Sequence, residues 1–419
     1  MRSFLAIFTL ELKSLARSRA LFAIFAATGA WMAFLPRLVT SDGTADGARR
    51  LYVEYSLGGV FALLVVALAA TAAGGISSMR ENGVMQLEIV RPVRLFKTAL
   101  ARYAAISLVG FAAFVFASAV LLAKSDAMRQ CSRSLKPAME SPREEALRMY
   151  DVFMNDPATP EKAKKAKKSD VVRLLEIRSR DRYDTVAAGD TAKWDFPQVP
   201  AGAENVAARF RFSTAFSGRH AVKGTVSLGD EKSDVEGFTE SPAVWSLPAW
   251  KCAGNGPLQL EFKNLGSENL LLRPREDVEI LYSFRSDTFL TNLAMACLEL
   301  SALVALAAAF GVFLGACFGR SVAVFCVIAA LAAAVAAPTA ADESVGSMEG
   351  SRVDALSSAV VRMVAAATHP FDSLRPVSNL SEDRRIPARE AFGAVAAYAV
   401  CVPLALSLLS AVAIRLKQE

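Results

Sequence analysis

Two groups of ionisable residues sit against apolar sequence, where a charge has to have a reason. The first is a dense basic segment, Ser77 to Tyr103, caught between two long apolar runs and carrying Arg80, Glu81, Gly83, Arg91, Pro92, Arg94, Lys97 and Arg102. Lys and Arg concentrate in short loops on the cytoplasmic side of a bilayer, so this segment sets the orientation of the chain. Met79 to Val90 places Val84, Leu87 and Val90 among charges, the spacing of a short amphipathic helix lying at the membrane surface. Pro92 ends that helix, because it lacks an N–H and drives Arg91 out of the α region, and Leu95 restarts a helix that becomes the next span. A charged helix, a proline break and a new span make a protruding elbow, suited to being gripped by a soluble partner. A solvated loop that only satisfies the positive-inside rule would show the same residues.

The second group is a single residue, Glu299, the one acid well inside an apolar run. No other span supplies an obvious basic partner. Ionisable groups at such depth are costly and mark a pathway or an interface. The alternative is that the helix starts above the membrane and Glu299 sits near the headgroups.

Other chemistries are excluded by what is missing. No Gly-x-x-x-x-Gly-Lys-Ser/Thr loop occurs, so this chain does not cradle ATP phosphates itself. The two histidines, His220 and His369, lie far apart, which argues against a zinc site and against a nucleophilic triad. No catalytic site, metal or cofactor is expected in this chain. Cys297, Cys317, Cys326 and Cys401 fall in or beside apolar runs and read as small hydrophobes, while Cys131 and Cys252 lie in a polar insert, either as a disulfide or as two thiols.

The elements that must position these residues follow from composition. The 419 residues are 53% hydrophobic with a net charge of +6, a membrane protein with a polar insert, and the modest charge gives no support to nucleic-acid binding. Met1 to Arg19 is too charged to span and has the composition of an interfacial helix. Ala20 to Leu38 is the first span, about Ser56 to Ile76 the second, with Gly58, Gly59, Gly74 and Gly75 permitting close contact at its ends, and Tyr103 to Ala123 the third. Two crossings return the chain to the elbow's side and the third takes it out again, so the insert that follows is expected outside the cytoplasm.

That insert, 124–287, changes character halfway. Residues 140–182 are rich in Glu, Lys and Arg and read as helices, with a lysine run from Lys162 to Lys168. From about 190 to 285, Val206, Ala208, Phe210 and Phe212 alternate with polar or small residues, as do Val222 to Leu228 and Leu258 to Phe262, separated by turn signals such as Gly254-Asn255-Gly256. Short alternating strands of this number predict an antiparallel sandwich. Trp194, Trp245 and Trp250 read as core. The fourth span runs from about Thr288 to Cys317, Gly319-Arg320 makes a tight turn, and Val322 to Pro338 is the fifth. A polar loop, 339–389, contains an amphipathic piece from Val353 to Ala367, too interrupted by charge to span, and carries Arg375, Arg384, Arg385 and Arg389, which sit uneasily outside. Glu390 to Ile414 is the sixth span. The expected fold is an α-helical polytopic membrane protein with six transmembrane helices and an inserted extracytoplasmic α+β domain containing a β-sandwich. Its parts are residues 1–123 with a loop at 77–102, residues 124–287, and residues 288–419.

The order Glu81, Gly83, Leu87, Arg91-Pro92-Val93, a basic pair and Arg102 before the next span resembles the cytoplasmic loop of ABC-2 type transporter permeases. That family usually carries Gly-Lys where this chain has Ala101-Arg102, so the charge is kept. Asp287 to Leu293, leading into a long apolar helix, again looks like the ABC-2 pattern, and the arrangement of spans extends the likeness over nearly the whole chain. The resemblance implies a permease subunit of an exporter in a bacterial inner membrane, and a second permease subunit beside it. It also implies a separate ABC ATPase subunit that hydrolyses ATP and engages Arg80, Glu81, Gly83, Arg91, Pro92 and Arg94. Two rivals remain. In one, the outer domain passes mechanical work to an envelope partner without transport. In the other, the chain is a membrane-anchored β-sandwich that binds or scaffolds with no ATPase.

Overall fold

The computed structural model describes residues 2–38, 45–82, 95–157, 168–180, 184–215, 218–229, 231–239, 241–254, 256–329 and 374–416. The chain divides into two compact units, one formed by Met1–Arg129 with Thr288–Glu419 and the other by Gln130–Asp287.

The first unit is helical. Its elements are α1 (Arg2–Arg17), α2 (Arg19–Leu38), α3 (Ala45–Glu81) and α4 (Leu95–Leu122) before the insert. After it come α8 (Phe289–Cys317), α9 (Arg320–Ala329), the short α10 (Pro376–Ser381) and α11 (Ala388–Leu416). Among the described residues five helices are long and apolar enough to cross a membrane: Leu21–Leu38, Gly47–Met79, Leu95–Leu122, Phe289–Cys317 and Ala388–Leu416. These make the chain a multi-pass membrane protein. The expected fifth span, Val322 to Pro338, is described only through Ala329, and the amphipathic piece Val353 to Ala367 lies outside the described residues. The helix α3 is longer than the expected span: 37 residues rise about 55 Å against a hydrocarbon core of roughly 30 Å, so its ends extend past the core.

The central element is α8, which packs on α3, α4 and α11. A cap holds its start, where the Thr288 hydroxyl accepts from the Thr291 N–H. Its contact with α3 depends on two glycines one turn apart. A Cβ on Gly311 would stand 2.3 Å from the Ala69 carbonyl oxygen, and one on Gly315 would stand 2.4 Å from that of Ala73. Only hydrogen fits there, and the two backbones touch. On the α4 side, Gly110 lies against Leu68 and Val304 in the same way, at 3.0 and 3.1 Å from its own Cβ position.

At the end of the bundle where α8 begins, charges tie three segments together. Arg49 of α3 pairs with Asp383, Arg50 with Glu382 at 2.6 Å, and Arg129 with Asp383 at 2.9 Å. Arg384 pairs with Glu382 at 2.9 Å, and Asn292 near the start of α8 accepts from the Ile386 N–H and donates to the Arg384 carbonyl, both at 2.7 Å. Among the arginines that sat uneasily in the sequence, Arg384 is thereby neutralised, and the C-terminal part of that loop is fixed to the start of α8.

The second unit begins with β1 (Arg133–Leu135), followed by α5 (Pro142–Asn155) and α6 (Lys168–Arg180). Nine strands follow: β2 (Asp184–Val186), β3 (Thr191–Phe196), β4 (Asn205–Arg211), β5 (Ala221–Leu228), β6 (Glu231–Phe238), β7 (Pro242–Leu247), β8 (Leu258–Asn264), β9 (Leu270–Leu272) and β10 (Val278–Ser283). A single turn, α7 (Ala249–Cys252), lies between β7 and β8. All ladders are antiparallel, in sheets ordered β1-β10-β4-β7, β2-β9 and β3-β8-β5-β6. Alternation in β4, β5 and β8 points Val206, Ala208 and Phe210, then Val222 and Val226, then Leu258, Leu260 and Phe262 into one apolar core that draws on all three sheets. Trp194 is in that core, whereas Trp250 is exposed. Glu144 and Ser141 form a reciprocal capping box that starts α5. Where the chain enters and leaves the unit, the fully buried Asp287 takes the Arg133 guanidinium at 2.8 Å, and its carbonyl accepts from the Cys131 N–H at 2.7 Å.

The glycine contact gives a direct test. Gly311→Val drives a side chain into the α3 backbone and is expected to destabilise the bundle by about 1–3 kcal/mol or more, the range of core overpacking. Gly393→Ala, a helical site with open space around its Cβ position, is expected to be neutral or stabilising. Thermal unfolding of the detergent-purified protein reads both.

Candidate functional site

The basic segment opens at the end of α3. Met79 to Glu81 continue α3 without a break, so the expected amphipathic helix does not start at Met79, and the last turn is held by the Asn82 N–H donating to the Ser78 carbonyl at 2.9 Å. Arg80 and Glu81 lie on that turn. Gly83, Arg91, Pro92 and Arg94 lie outside the described residues, as does the rest of 83–94. The structure therefore places the two mouths of the segment, at Glu81 and Leu95.

Both mouths are anchored to other helices. An Oε1 of Glu81 accepts the backbone N–H of Arg320 at 3.0 Å. That N–H belongs to the first turn of α9, where helix donors have no partner of their own and where the helix dipole favours a negative charge. The Arg320 side chain lies over Gly74, with Nε 3.6 Å from the position a Cβ would take. At the other mouth, Arg102 of α4 reaches the Glu11 carboxylate of α1 at 3.5 Å and donates to the Met79 sulfur at 2.6 Å. Its guanidinium occupies the space above Gly75, 2.6 Å from where a Cβ would be. Glu11 is 7% exposed, and a charge buried to that degree needs its partner. So α1, α3, α4 and α9 meet around the ends of the segment through Glu11, Gly74, Gly75, Glu81, Arg102 and Arg320. The glycine pair was legible as a close-contact signal. Glu11 and Arg320 were not singled out, although Glu11 is the lone acid in a basic helix.

Glu299 stands ten residues, about 15 Å, inside α8, and is 1% exposed. Its Oε1 has no hydrogen-bond partner among the described residues. One turn further along, Ala302 and Leu303 pack with Leu374, Ala394, Phe61 and Val395 in an apolar cluster. The neighbouring charge is another carboxylate, Glu390 at the start of α11.

Beside this cluster α11 is irregular. Val395–Cys401 is π-helical, and the Tyr103 hydroxyl of α4 donates to the Ala399 carbonyl at 2.6 Å. In a regular α-helix that carbonyl would accept from residue 403, which is Pro403 and has no N–H to give. The Tyr103 hydroxyl thus gives that carbonyl a side-chain donor from the adjacent helix, at the turn where Pro403 has none to offer.

Among the described residues no group of three or more His, Cys, Asp or Glu gathers to hold a metal. His220 pairs with Glu268 at 3.1 Å. Cys131 and Cys252 are both buried and not joined in a disulfide, and burial beside Glu231 pushes the Cys252 thiol up to about 11. Comparison of the chain with protein-family models, with curated proteins and with solved structures finds no match.

Two outcomes follow from this geometry. Glu11→Gln leaves the Arg102 guanidinium without its carboxylate and is expected to lower stability by about 3 kcal/mol, the lower end for a broken buried pair. A double-mutant cycle with Arg102→Gln on thermal unfolding measures the coupling. Cys131 and Cys252 are expected to resist a maleimide at neutral pH in the native protein and to react fully once it is denatured without reductant. Failure to react after denaturation would mean a disulfide.

Proposed function

We propose that the chain is the membrane-spanning permease subunit of an ATP-driven transporter of the ABC-2 type in a bacterial inner membrane, with ATP hydrolysed on a separate subunit. The observation that supports this best is the anchoring of the basic segment at both mouths. A partner that pulls on residues between Glu81 and Leu95 acts on four helices at once: on α3 and α4 directly, on α9 through the Glu81 carboxylate, and on α1 through the Arg102 to Glu11 pair. A loop that merely obeyed a charge rule would need none of these ties.

In this reading the basic segment faces the cytoplasm, and α9 continues through Pro338 as the fifth of six spans. The four-stranded sheets of the Gln130–Asp287 unit form the two faces of an extracytoplasmic sandwich over their shared core. A second permease subunit completes the path. That the Gln130–Asp287 unit has a core of its own favours one variant, in which the same ATPase cycle passes mechanical work to an envelope partner instead of moving a substrate.

The test is co-expression with an ATP-binding-cassette protein. The expected outcome is a co-purifying complex whose ATP hydrolysis is stimulated by the membrane subunit, with Glu81→Ala and Arg91→Ala each lowering that stimulation by roughly tenfold, about 1.4 kcal/mol of coupling. The reading is sunk if no ATPase subunit binds, or if both variants couple like the parent. Uptake or efflux in reconstituted vesicles separates transport from mechanical work.

A further inference from the structure

The α8 to α11 seam carries a carboxyl that the coupling role does not use. We propose that Glu299 is a proton-binding site inside the helix bundle, filled from Glu390 at the exposed start of α11. The proposal stands apart from the ATPase reading and would hold for any function of the bundle.

Three observations lead to it. Glu299 is 1% exposed and its Oε1 is buried without a hydrogen-bond partner among the described residues, so that oxygen is neither solvated nor held by a structural donor there. An ionised carboxylate in that setting is among the costliest groups a membrane protein can carry, while the protonated acid is not. The neighbouring charge is Glu390, which is exposed and acidic, so it offers no neutralising cation and does offer a route for protons from water.

The charged groups on the elements packed against α8 are otherwise engaged or distant. Arg49 and Arg50 of α3, Arg129 and Arg384 pair with Glu382 and Asp383. Glu54 of α3 and Arg389 of α11 are exposed. Lys124 lies over the Tyr52 ring, Arg102 pairs with Glu11, and Lys97 and Arg320 lie at the opposite end of the bundle. On α4, the titratable Tyr103 has its hydroxyl committed to the Ala399 carbonyl. Arg375 follows the cluster residue Leu374 but is exposed, Arg385 lies beyond α10, and Arg415 ends α11.

The ligand is a proton and not a metal cation because of the oxygen count. Ca²⁺ asks for roughly six to eight oxygens, whereas the surroundings of Ala302 and Leu303 one turn away are Phe61, Leu374, Ala394 and Val395. A proton needs one oxygen. Its transfer breaks the O–H of the Glu390 acid and forms that of Glu299, leaving Glu390 as the carboxylate to be refilled from water.

Dicyclohexylcarbodiimide tests this, since it partitions into apolar sites and modifies a carboxyl only when the acid proton is there to activate the reagent. The full-length protein is reconstituted in phosphatidylcholine vesicles, treated between about pH 5 and about pH 9, a range that starts above ordinary carboxyl titration, and digested for mass spectrometry. The expected result is an N-acylurea on Glu299 that persists at neutral pH, where exposed carboxylates are ionised, and fades at the alkaline end. Glu299→Gln is expected to remove it at least tenfold, and Glu390→Gln to keep it while moving the pH of half-labelling. Absence of modification on Glu299 in the parent protein at every pH overturns the proposal without recourse to any variant. An unchanged pH profile in Glu390→Gln overturns the filling route and the proposal with it. Neither outcome bears on ATPase co-purification.

Discussion

The structure depends on the contact between the glycine face of α8 and the backbone of α3. Inside hydrocarbon, lipid is as apolar as the side chains, and helices gain by approaching closely enough for dispersion and weak backbone contacts to act. Gly311 and Gly315 allow that approach at two successive turns, against the carbonyls of Ala69 and Ala73. This contact also sets the register of what lies beyond it. Glu81 is two turns past Ala73, and Arg320 is five residues past Gly315. A slip of α8 by one turn, about 5.4 Å, would carry the Arg320 N–H out of reach of the Glu81 carboxylate and leave the start of α9 uncapped.

The two ends of the bundle are fastened differently. At the elbow end the ties are few and use buried or backbone partners: Glu11 with Arg102, Glu81 with a helix N-terminus. At the other end, a web of arginines and acids links Arg49, Arg50, Arg129, Glu382, Asp383 and Arg384. Individually such partly exposed pairs are weak, but a network shares each charge among several partners. Asp383 takes part while holding a left-handed backbone at φ 54°, an unusual conformation for a residue other than glycine, stabilised by having two arginines on its carboxylate. The positive-inside rule describes which loops are translocated, and says nothing against arginines that are paired once folded.

What could be read in the sequence divides along the same physical line. Period-two strands with a strong buried face, β4, β5 and β8, were legible because alternate side chains enter a shared core. The strand β6 was not, since Glu-Lys-Ser-Asp-Val-Glu-Gly-Phe buries only Val235 and its polarity is that of an edge. Its strand character comes from pairing with β5, a tertiary fact. Apolar runs announced the spans, yet α3 extends far beyond its apolar part because charged first and last turns cost little outside hydrocarbon. In the candidate site, Gly74 and Gly75 signalled close contact without naming the guanidiniums that fill it. The spacing of Gly311 and Gly315 would have pointed to the α3 contact. The Glu11 to Arg102 pair joins residues with no sequence pattern between them, so only the fold brings it into view.

The seams on the two sides of α8 are built for opposite behaviour. Towards α3, small residues interlock backbone to backbone, and nothing there can shift without a clash. Towards α11, the backbone is π-helical over Val395–Cys401, Pro403 has no N–H for the preceding turn, and the Tyr103 hydroxyl donates to the Ala399 carbonyl. One hydrogen bond of that kind contributes roughly 0.5–1.5 kcal/mol, small enough to be exchanged for another arrangement of the same turn. The Glu299 carboxyl, with an Oε1 unpartnered among the described residues, belongs to this second seam, where Ala302 and Leu303 meet Ala394 and Val395. A change of charge state there would act on the part of the bundle least able to resist it, while the α3 contact carried the rest of the helix as a rigid body. The polar irregularities of the membrane unit are thus gathered on one side of its central helix, and the other side supplies the fixed frame against which they can move.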